Sequence, residues 1–292
     1  MIDHTIYCTP KRMSQEAPVL ILKQKDIKYQ LGGAANVARN IKQLGAQVMV
    51  SGAVGYDQHN KMLHHLFHKE GIHTEGLITS PYRPTTIKTR IVAQERQLIR
   101  YDNEDKTDID PNEENVEIMR IKKFNPDLLV IADYDKGNVT KSMMQKLLDL
   151  HKPIYVNGKP EHINIYQGIT CLVCNDYEYT HSLKEGQTDN LCQYLQCNAI
   201  VHTLGHRGLE VVTSKETHYV APYVVQEVDP TGASDTIISV VALEDQVTDV
   251  FKAAKMANKA ASIVVTKAGT HCITYKDLEK EVLSLFSTNE KE

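Results

Sequence analysis

The chain has 292 residues, 41% of them hydrophobic, and a formal net charge of −4. This size allows one large α/β domain or two small ones, and the charge gives no general attraction to nucleic acid or to anionic membranes. The sequence contains no run of 18 apolar residues and no signal-peptide pattern. We therefore expect a cytoplasmic protein that does not span a membrane and whose cysteines are reduced.

The first hundred residues mix strand and helix patterns. In chain order they predict strands at 18–22 and 27–30, a helix at 34–44, a strand at 47–52, a helix at 57–71 and a hairpin at 85–102. The hairpin alternates so that one of its faces is polar. Because it interrupts the α/β pattern, as residues 18–30 do, we expect these two segments to pair into a small sheet that covers a site.

From about residue 113 onward, predicted strands alternate with helical or mixed segments. The strands are expected at 128–132, 154–156, 169–173, 199–203, 211–213 and 223–228. This alternation predicts a doubly wound, mostly parallel sheet.

Residues 229–235 (Asp-Pro-Thr-Gly-Ala-Ser-Asp) connect the last of these strands to a helix that carries Ile237 and Val241. Small residues leave the N–H groups of the helix start open to an anion such as phosphate. A carboxylate at this point, Asp235, would repel the anion but could accept a proton from a hydroxyl that attacks it. Ordinary turn chemistry with a helix-stabilising acid is the alternative interpretation.

Polar residues and glycines follow the predicted strands at the edge where ligands bind to open α/β sheets. These sets are 133–137, 157–159, 175–178 and 203–208, and residues 229–235 complete the series. Together they favour an active site that handles phosphate.

Four ordered motifs resemble those of the ribokinase-like (phosphofructokinase-B-type) sugar kinases, over nearly the whole chain. They are Gly32-Gly33-x2-Asn36, Asn175-x2-Glu178, Thr203-x-Gly205-x2-Gly208 and Asp229-x-Thr231-Gly232-Ala233-x-Asp235. The resemblance implies one ribokinase-like domain over 1–292, with lid segments at about 4–30 and 83–103. Within the family, the similarity is greatest to kinases that phosphorylate D-glycero-D-manno-heptose 7-phosphate at C1.

The resemblance also implies ATP and Mg²⁺, with Asp235 as general base and an anion hole formed by the amides of Gly232, Ala233, Ser234 and Asp235. Asn175 and Glu178 would hold Mg²⁺ through water. The implied nucleotide residues are Asn175, Asp176, Tyr177, Glu178, Thr203, Gly205, Gly208 and Asn258. The sugar would contact Asp3, Gly32, Gly33, Asn36 and Asp133, and its own phosphate would contact Lys88, Arg90, Arg100 and Lys136. The lid sheet could also pair with a second copy of the chain.

This sequence departs from the family pattern at three places, and each departure predicts a change in the structure or the site. Ser234 replaces a glycine and would be strained if its φ were positive. Asn157-Gly158-Lys159 replaces Asp-Pro-Lys and removes one carboxylate near the phosphates. The family's first strand, which leads into the residue that matches Asp3, is missing here, and its loss would expose backbone and apolar surface.

The sequence is compatible with three functions: a heptose-phosphate kinase, a kinase for another sugar, and a non-catalytic relative that binds sugar phosphate or nucleotide. Retention of Asn175, Glu178 and Asp235 argues against the third. A dehydrogenase is disfavoured because no predicted strand is followed by G-x-G-x-x-G.

Overall fold

The computed structural model describes residues 1–267 and 269–278. Its strands are β1 (Ile2–Met13), β2 (Leu20–Leu31), β3 (Met49–Gly55), β4 (His73–Ser80), β5 (Ile87–Ala93), β6 (Arg96–Asn103), β7 (Leu129–Ala132), β8 (Ile154–Asn157), β9 (Cys171–Asn175), β10 (Ala199–Thr203), β11 (Leu209–Val212) and β12 (Thr217–Val220). Its α-helices are α1 (Ala34–Gln43), α2 (Gln58–Lys69), α3 (Pro111–Phe124), α4 (Lys141–Leu148), α5 (Asp176–Glu185), α6 (Leu191–Leu195), α7 (Ala233–Glu244) and α8 (Val250–Val264). Short 3₁₀ helices lie at Pro160–Ile165 and Gly205–Arg207.

The main sheet has the strand order β12-β11-β10-β9-β8-β7. Strands β7 to β10 are parallel, and β11 and β12 are antiparallel additions at one edge. Side chains that alternate along β9 pack on opposite faces: Cys171 and Val173 lie in the cluster with α7 and α8, and Leu172 and Cys174 in the cluster with α4 and α6. This arrangement confirms the predicted doubly wound, mostly parallel α/β fold. The carboxyl ends of the four parallel strands therefore meet at one edge.

A second, two-stranded sheet pairs β3 with β4 in parallel and is separate from the main sheet. Between β3 and the edge strand β7 lies a cavity of about 690 Å³, lined by Met49–Val54 of one strand and Leu129–Ala132 of the other. Residues of α1 cover the cavity from one side, and residues of α3 and α4 line it as well.

The lid is a four-stranded sheet of order β2-β1-β5-β6. Its register pairs Asp3 with Lys88, Lys88 with Asp102, and Arg90 with Arg100, so these side chains share one face. The expected hairpin with a polar face and the expected small sheet are therefore confirmed. However, residues 18–30 do not pair directly with the hairpin, because β1 lies between them.

The structure corrects the prediction of a strand at 223–228. These residues have no regular secondary structure, and Val224 is 98% exposed. The Val228 and Asp229 amides donate to the Val265 carbonyl oxygen at the end of α8 (2.8 and 3.1 Å). The apolar run therefore crosses the end of a helix instead of joining the sheet. Strands β1, β4 and β12 were not predicted, and the segments expected as two strands at 18–22 and 27–30 form one strand, β2.

Candidate active site

The amino terminus of α7 presents backbone amides that no side chain caps. Its N-cap residue, Gly232, has φ 87° and ψ 0°, a left-handed conformation that glycine adopts without steric cost. The Ala233 amide donates to the Pro230 carbonyl oxygen (3.2 Å). Ser234 lies inside the helix with a negative φ, so the predicted strain at this serine does not arise. Gly232 adopts the left-handed conformation instead.

Asp235 lies in the first turn of α7 and is 6% exposed. The Asn36 side-chain amide donates to its Oδ2 (2.8 Å), and the Tyr134 hydroxyl donates to its Oδ1 (2.6 Å). Burial raises the pKa of Asp235, and these two hydrogen bonds oppose the rise. A carboxylate placed in this way can accept a proton, and a donor on each oxygen fixes its orientation.

The glycine pair forms the turn from β2 into α1. Gly33 has φ 54° and is the N-cap of α1. A side chain at Gly32 would collide with the Asp3 carboxylate, and a Cβ at Gly33 would lie 3.1 Å from the Tyr134 ring. This turn therefore brings β1, α1 and the loop after β7 together beside Asp235.

Four cations lie on or near the polar face of the lid, and three of them have acidic partners. These partners are Asp3 for Arg90 (2.6 Å), Asp102 for Arg100 (2.6 Å) and Glu104 for Lys136 (2.8 Å). Lys88 forms no salt bridge with any residue in 1–267 or 269–278. Burial and the nearby Arg100 and Lys136 charges lower the pKa of Lys88, while Asp102 and Asp3 oppose this. The four cations have three acidic partners, so one positive charge is left to bind an additional anion.

Asp133 is 3% exposed and is held by protein donors at both oxygens. His162 Nδ1 and the Tyr166 hydroxyl each lie 2.6 Å from Oδ2, and the Asp135 amide donates to Oδ1 (2.8 Å). These contacts fix the loop after β7. The carboxylate that was expected to hold the sugar thus lies in an internal network in this structure.

Asn175 and Glu178 form a capping box at the start of α5. The Glu178 amide donates to Asn175 Oδ1 (2.9 Å), and the Asn175 amide donates to Glu178 Oε2 (3.1 Å). Lys159 Nζ lies 2.6 Å from the other Glu178 oxygen. Asn157, which replaces an acid of the family pattern, donates to the Val173 carbonyl oxygen (3.0 Å).

The capping box at the start of α5 offers one carboxylate and one side-chain amide as possible ligands of Mg²⁺. Within 1–267 and 269–278, no group of three or more His, Cys, Asp or Glu side chains is placed to hold a metal ion. Mg²⁺ usually keeps several waters and binds through one or two carboxylates together with substrate phosphates. One carboxylate, Glu178, beside the Asn175 side-chain amide fits such a water-mediated site.

The remaining predicted nucleotide residues lie around the ends of β9, β10 and β12. Asp176 contacts His202 (3.1 Å) and Arg207 (3.2 Å), and Tyr177 is exposed and stacks on His181. The loop after Thr203 contains Gly205 at φ 62°, with open space where a Cβ would be, and Gly208 at φ 88°, close to the Val220 carbonyl oxygen. Asn258 of α8 donates to the Ala221 carbonyl oxygen (2.8 Å). The open backbone at Gly205 is accessible to a ligand.

Sequence reasoning missed several side chains that complete this site. Tyr134, Lys159, His162 and Tyr166 were not expected to have roles. Tyr134 follows β7 in the sequence, and Lys159 follows β8. The predicted strands therefore already placed both residues at the edge of the sheet where a ligand was expected. No signal in the sequence connects His162 or Tyr166 to Asp133, because these contacts depend on how the 3₁₀ helix folds back.

The fold and the site define a carbohydrate kinase with a ribokinase-like architecture. The chain belongs to the pfkB family of carbohydrate kinases, whose pattern matches residues 1–274. It is 35% identical over 297 residues to the bifunctional protein HldE of Campylobacter jejuni subsp. jejuni serotype O:2, covering 96% of this chain and 62% of that protein. It is 32% identical over 299 residues to the HldE of Desulfatibacillum aliphaticivorans, covering 97% and 61%. The chain thus spans about three fifths of the length of these curated relatives.

Solved structures show the same fold at low sequence identity. Phosphofructokinase-2 from Escherichia coli in complex with fructose-6-phosphate superposes with a TM-score of 0.73 at 16% identity, covering 96% of this chain and 94% of that chain. Ribokinase from Thermotoga maritima superposes with a TM-score of 0.72 at 15% identity, covering 96% of each chain. Among the helices that the structure describes, none is both long and apolar enough to cross a membrane.

Proposed function

We propose that this chain transfers the γ-phosphoryl group of ATP to the C1 hydroxyl of D-glycero-D-manno-heptose 7-phosphate, to give the 1,7-bisphosphate and ADP. Asp235 takes the proton of the C1 hydroxyl as its oxygen forms a bond to the γ-phosphorus. The bond between that phosphorus and the bridging oxygen of ADP breaks, and ADP leaves with the bond's electron pair. Because ATP is the donor, we place the reaction in the cytoplasm.

One observation carries this proposal: a buried carboxylate lies in the first turn of a helix whose amino terminus has no side-chain cap. Gly232 is the N-cap of this helix. Three residues later, Asn36 and Tyr134 donate hydrogen bonds to the two carboxylate oxygens of Asp235. The amides of Gly232, Ser234 and Asp235 would bind the transferring phosphoryl group, while the Ala233 amide already has a backbone acceptor. Removing one anion-hole donor typically costs about 10²–10³-fold in kcat.

The nucleotide would lie along the carboxyl ends of β9 and β10. In this position its phosphates would approach Asn175 and Glu178, which would hold Mg²⁺ through water. The open glycine loop at 205–208 and Asn258 would border the base and ribose. When bound, Mg²⁺ neutralises charge on the β- and γ-phosphates.

The substrate's own phosphate would bind to Lys88, Arg90 and Arg100 of the lid and to Lys136 of the loop after β7. Their shared location beside Asp3 and Gly32 supports a sugar that lies between the lid and α1. The similarity to the HldE proteins supports a heptose 7-phosphate as that sugar.

The lid also supports a homodimer. Its second face carries Ile27, Ile99 and Tyr101, which are 39%, 56% and 54% exposed. Ile27 pairs with Ile6, and Ile99 pairs with Ile91, so these apolar side chains share one face. Two such faces packed together would remove this apolar surface from water.

Release of ADP from Mg·ATP over a panel of acceptors tests the function. The panel holds the heptose 7-phosphate, the unphosphorylated heptose, hexose phosphates, free hexoses and nucleosides. The highest kcat/KM is expected for the heptose 7-phosphate. Turnover of free hexoses or nucleosides only would show a different kinase, and ATP binding without turnover of any acceptor would show a non-catalytic relative.

Lys88→Met tests the site for the substrate's phosphate. The variant removes the lid cation that has no acidic partner among the described residues, so the KM for the phosphorylated sugar should rise by about tenfold or more. The KM for ATP should stay within about twofold. Lys123→Met, on the exposed surface of α3, is the matched control and should change neither constant. Equal rises in both KM values would place Lys88 outside a sugar-phosphate site.

A further inference from the structure

The geometry points to Tyr134 as a positioning residue that holds the Asp235 carboxylate in its reactive orientation and keeps it ionised. The inference rests on the proposed function for its catalytic meaning, but its structural basis is independent. The Tyr134 hydroxyl lies 2.6 Å from Asp235 Oδ1. The Asn36 side-chain amide donates to the other carboxylate oxygen, Oδ2.

The Tyr134 hydroxyl can act only as a donor in this contact. Burial and the nearby Asp235 charge raise the pKa of the Tyr134 phenol, so the ring stays neutral and keeps its proton. A carboxylate oxygen accepts more than one hydrogen bond. The acceptor hydroxyl of a sugar can therefore reach Asp235 while Tyr134 and Asn36 remain bound.

The surroundings of the ring fix where this hydroxyl points. One edge of the Tyr134 ring faces the bare backbone of Gly33, where an added Cβ would lie 3.1 Å away. The ammonium groups of Lys88 and Lys159 each lie 5.9 Å from the ring centroid. Lys159 in turn pairs with Glu178, so the ring lies between the carboxylate base and the side chains expected near the phosphates.

Other charged or titratable groups face Asp235 from the elements packed around it. Asp3 of β1 raises the pKa of Asp235, and Lys88 of β5 lowers it. Cys272, in the segment after α8, is close enough for the Asp235 charge to contribute to its raised pKa. Removing only the phenolic oxygen leaves these groups in place, so a change in the titration of Asp235 would report the lost hydrogen bond.

Tyr134→Phe is the primary test. A donor to the ionised carboxylate favours the charged form, so its removal should raise the pKa of Asp235. The acid limb of the kcat/KM profile for the best acceptor should move up by about one pH unit. Tyr155→Phe is the matched control, because it removes a similar hydrogen bond to Asp245 (2.7 Å), and its profile should not move. An unmoved acid limb in Tyr134→Phe would overturn the inference.

Replacement of Tyr134 by 3-fluorotyrosine covers the case in which the phenylalanine variant does not fold. The fluorinated phenol is a stronger donor of nearly the same shape, so the acid limb should move down. A shift upward, or no shift, would contradict a donor role.

A titration without turnover separates this inference from the proposed function. ¹³C-aspartate labelling of the ligand-free protein, with Asp235→Asn to identify the resonance, reports the carboxyl directly by NMR. A higher Asp235 pKa in Tyr134→Phe than in wild type or Tyr155→Phe supports the inference, even if no sugar is phosphorylated. Equal pKa values in all three proteins would refute it, even if the kinase activity is confirmed.

Discussion

At the scale of single residues, Asp235 combines low exposure with a position where a negative charge is favoured. Burial raises the pKa of its carboxyl, while the helix start and the donors Asn36 and Tyr134 favour the ionised form. Because the balance leaves the pKa above its ordinary value, the carboxylate becomes available at a higher pH than an exposed aspartate would. We therefore expect kcat/KM to fall on the acid side as Asp235 gains a proton.

Asp235→Asn should lower kcat by at least about a hundredfold, because the amide cannot take the proton of the acceptor hydroxyl. Nucleotide affinity, measured by calorimetry with ADP, should stay within a few-fold. Asp245→Asn, at the other end of α7, is the control and should keep kcat within a few-fold of wild type. A near-normal kcat in Asp235→Asn would remove the general base from the mechanism.

At the scale of secondary-structure elements, α3 packs a carboxyl group against β3. Glu117 is 3% exposed and accepts hydrogen bonds from Ser51 (2.8 Å) and Asn138 (3.2 Å). Burial raises the pKa of Glu117 from 4.5 to about 7. The folded protein therefore holds a proton here that the unfolded chain releases near pH 4.5, so stability falls as the pH rises between these two values.

Glu117→Gln should reduce this pH dependence. Between pH 5 and pH 8 the wild type should lose about 3 kcal/mol of its free energy of unfolding through Glu117, and the variant should lose correspondingly less. Urea denaturation at both pH values measures the difference. Glu185→Gln, at the exposed end of α5, is the control. Its pH 5 to pH 8 difference should match wild type.

The lid is the second element whose role can be tested by itself. Ile99→Lys places a charge on its exposed apolar face, and we expect it to convert a dimer to a monomer in light scattering. Met119→Lys is the matched control, since this residue is similarly exposed but lies in α3, outside the lid. A wild-type monomer, or a dimer that survives Ile99→Lys, would refute pairing through this face.

At the scale of the whole molecule, a cavity lies in the apolar core between β3 and β7. The edges of both strands face a volume of about 690 Å³ instead of another strand. Cavity-lining atoms lose packing contacts, and such losses lower stability. The main sheet and the β3–β4 sheet are thus held together chiefly by the helices that cover both.

Ala38→Leu should be neutral or raise the free energy of unfolding, because the longer side chain can extend into the cavity that Ala38 lines. Ala254→Leu in α8 is the control: this alanine is 0% exposed within packed core, so the added atoms should destabilise by about 1–3 kcal/mol. Denaturant titration of both variants measures the contrast. Equal destabilisation would show that the space beside Ala38 cannot accept a side chain.

The sequence by itself determined the alternating α/β order and the residues of the α7 start, because these depend on local periodicity and on which residue types can form a turn. Even there, the run at 223–228 was assigned wrongly, since its apolar residues do not pair in a sheet. Only the tertiary structure decided which donors hold Asp235 and Asp133, that Ser234 has a helical φ, and that β1 lies inside the lid. These features depend on contacts between segments far apart in the chain, such as Asn36 and Tyr134 with Asp235, and no local pattern specifies such contacts.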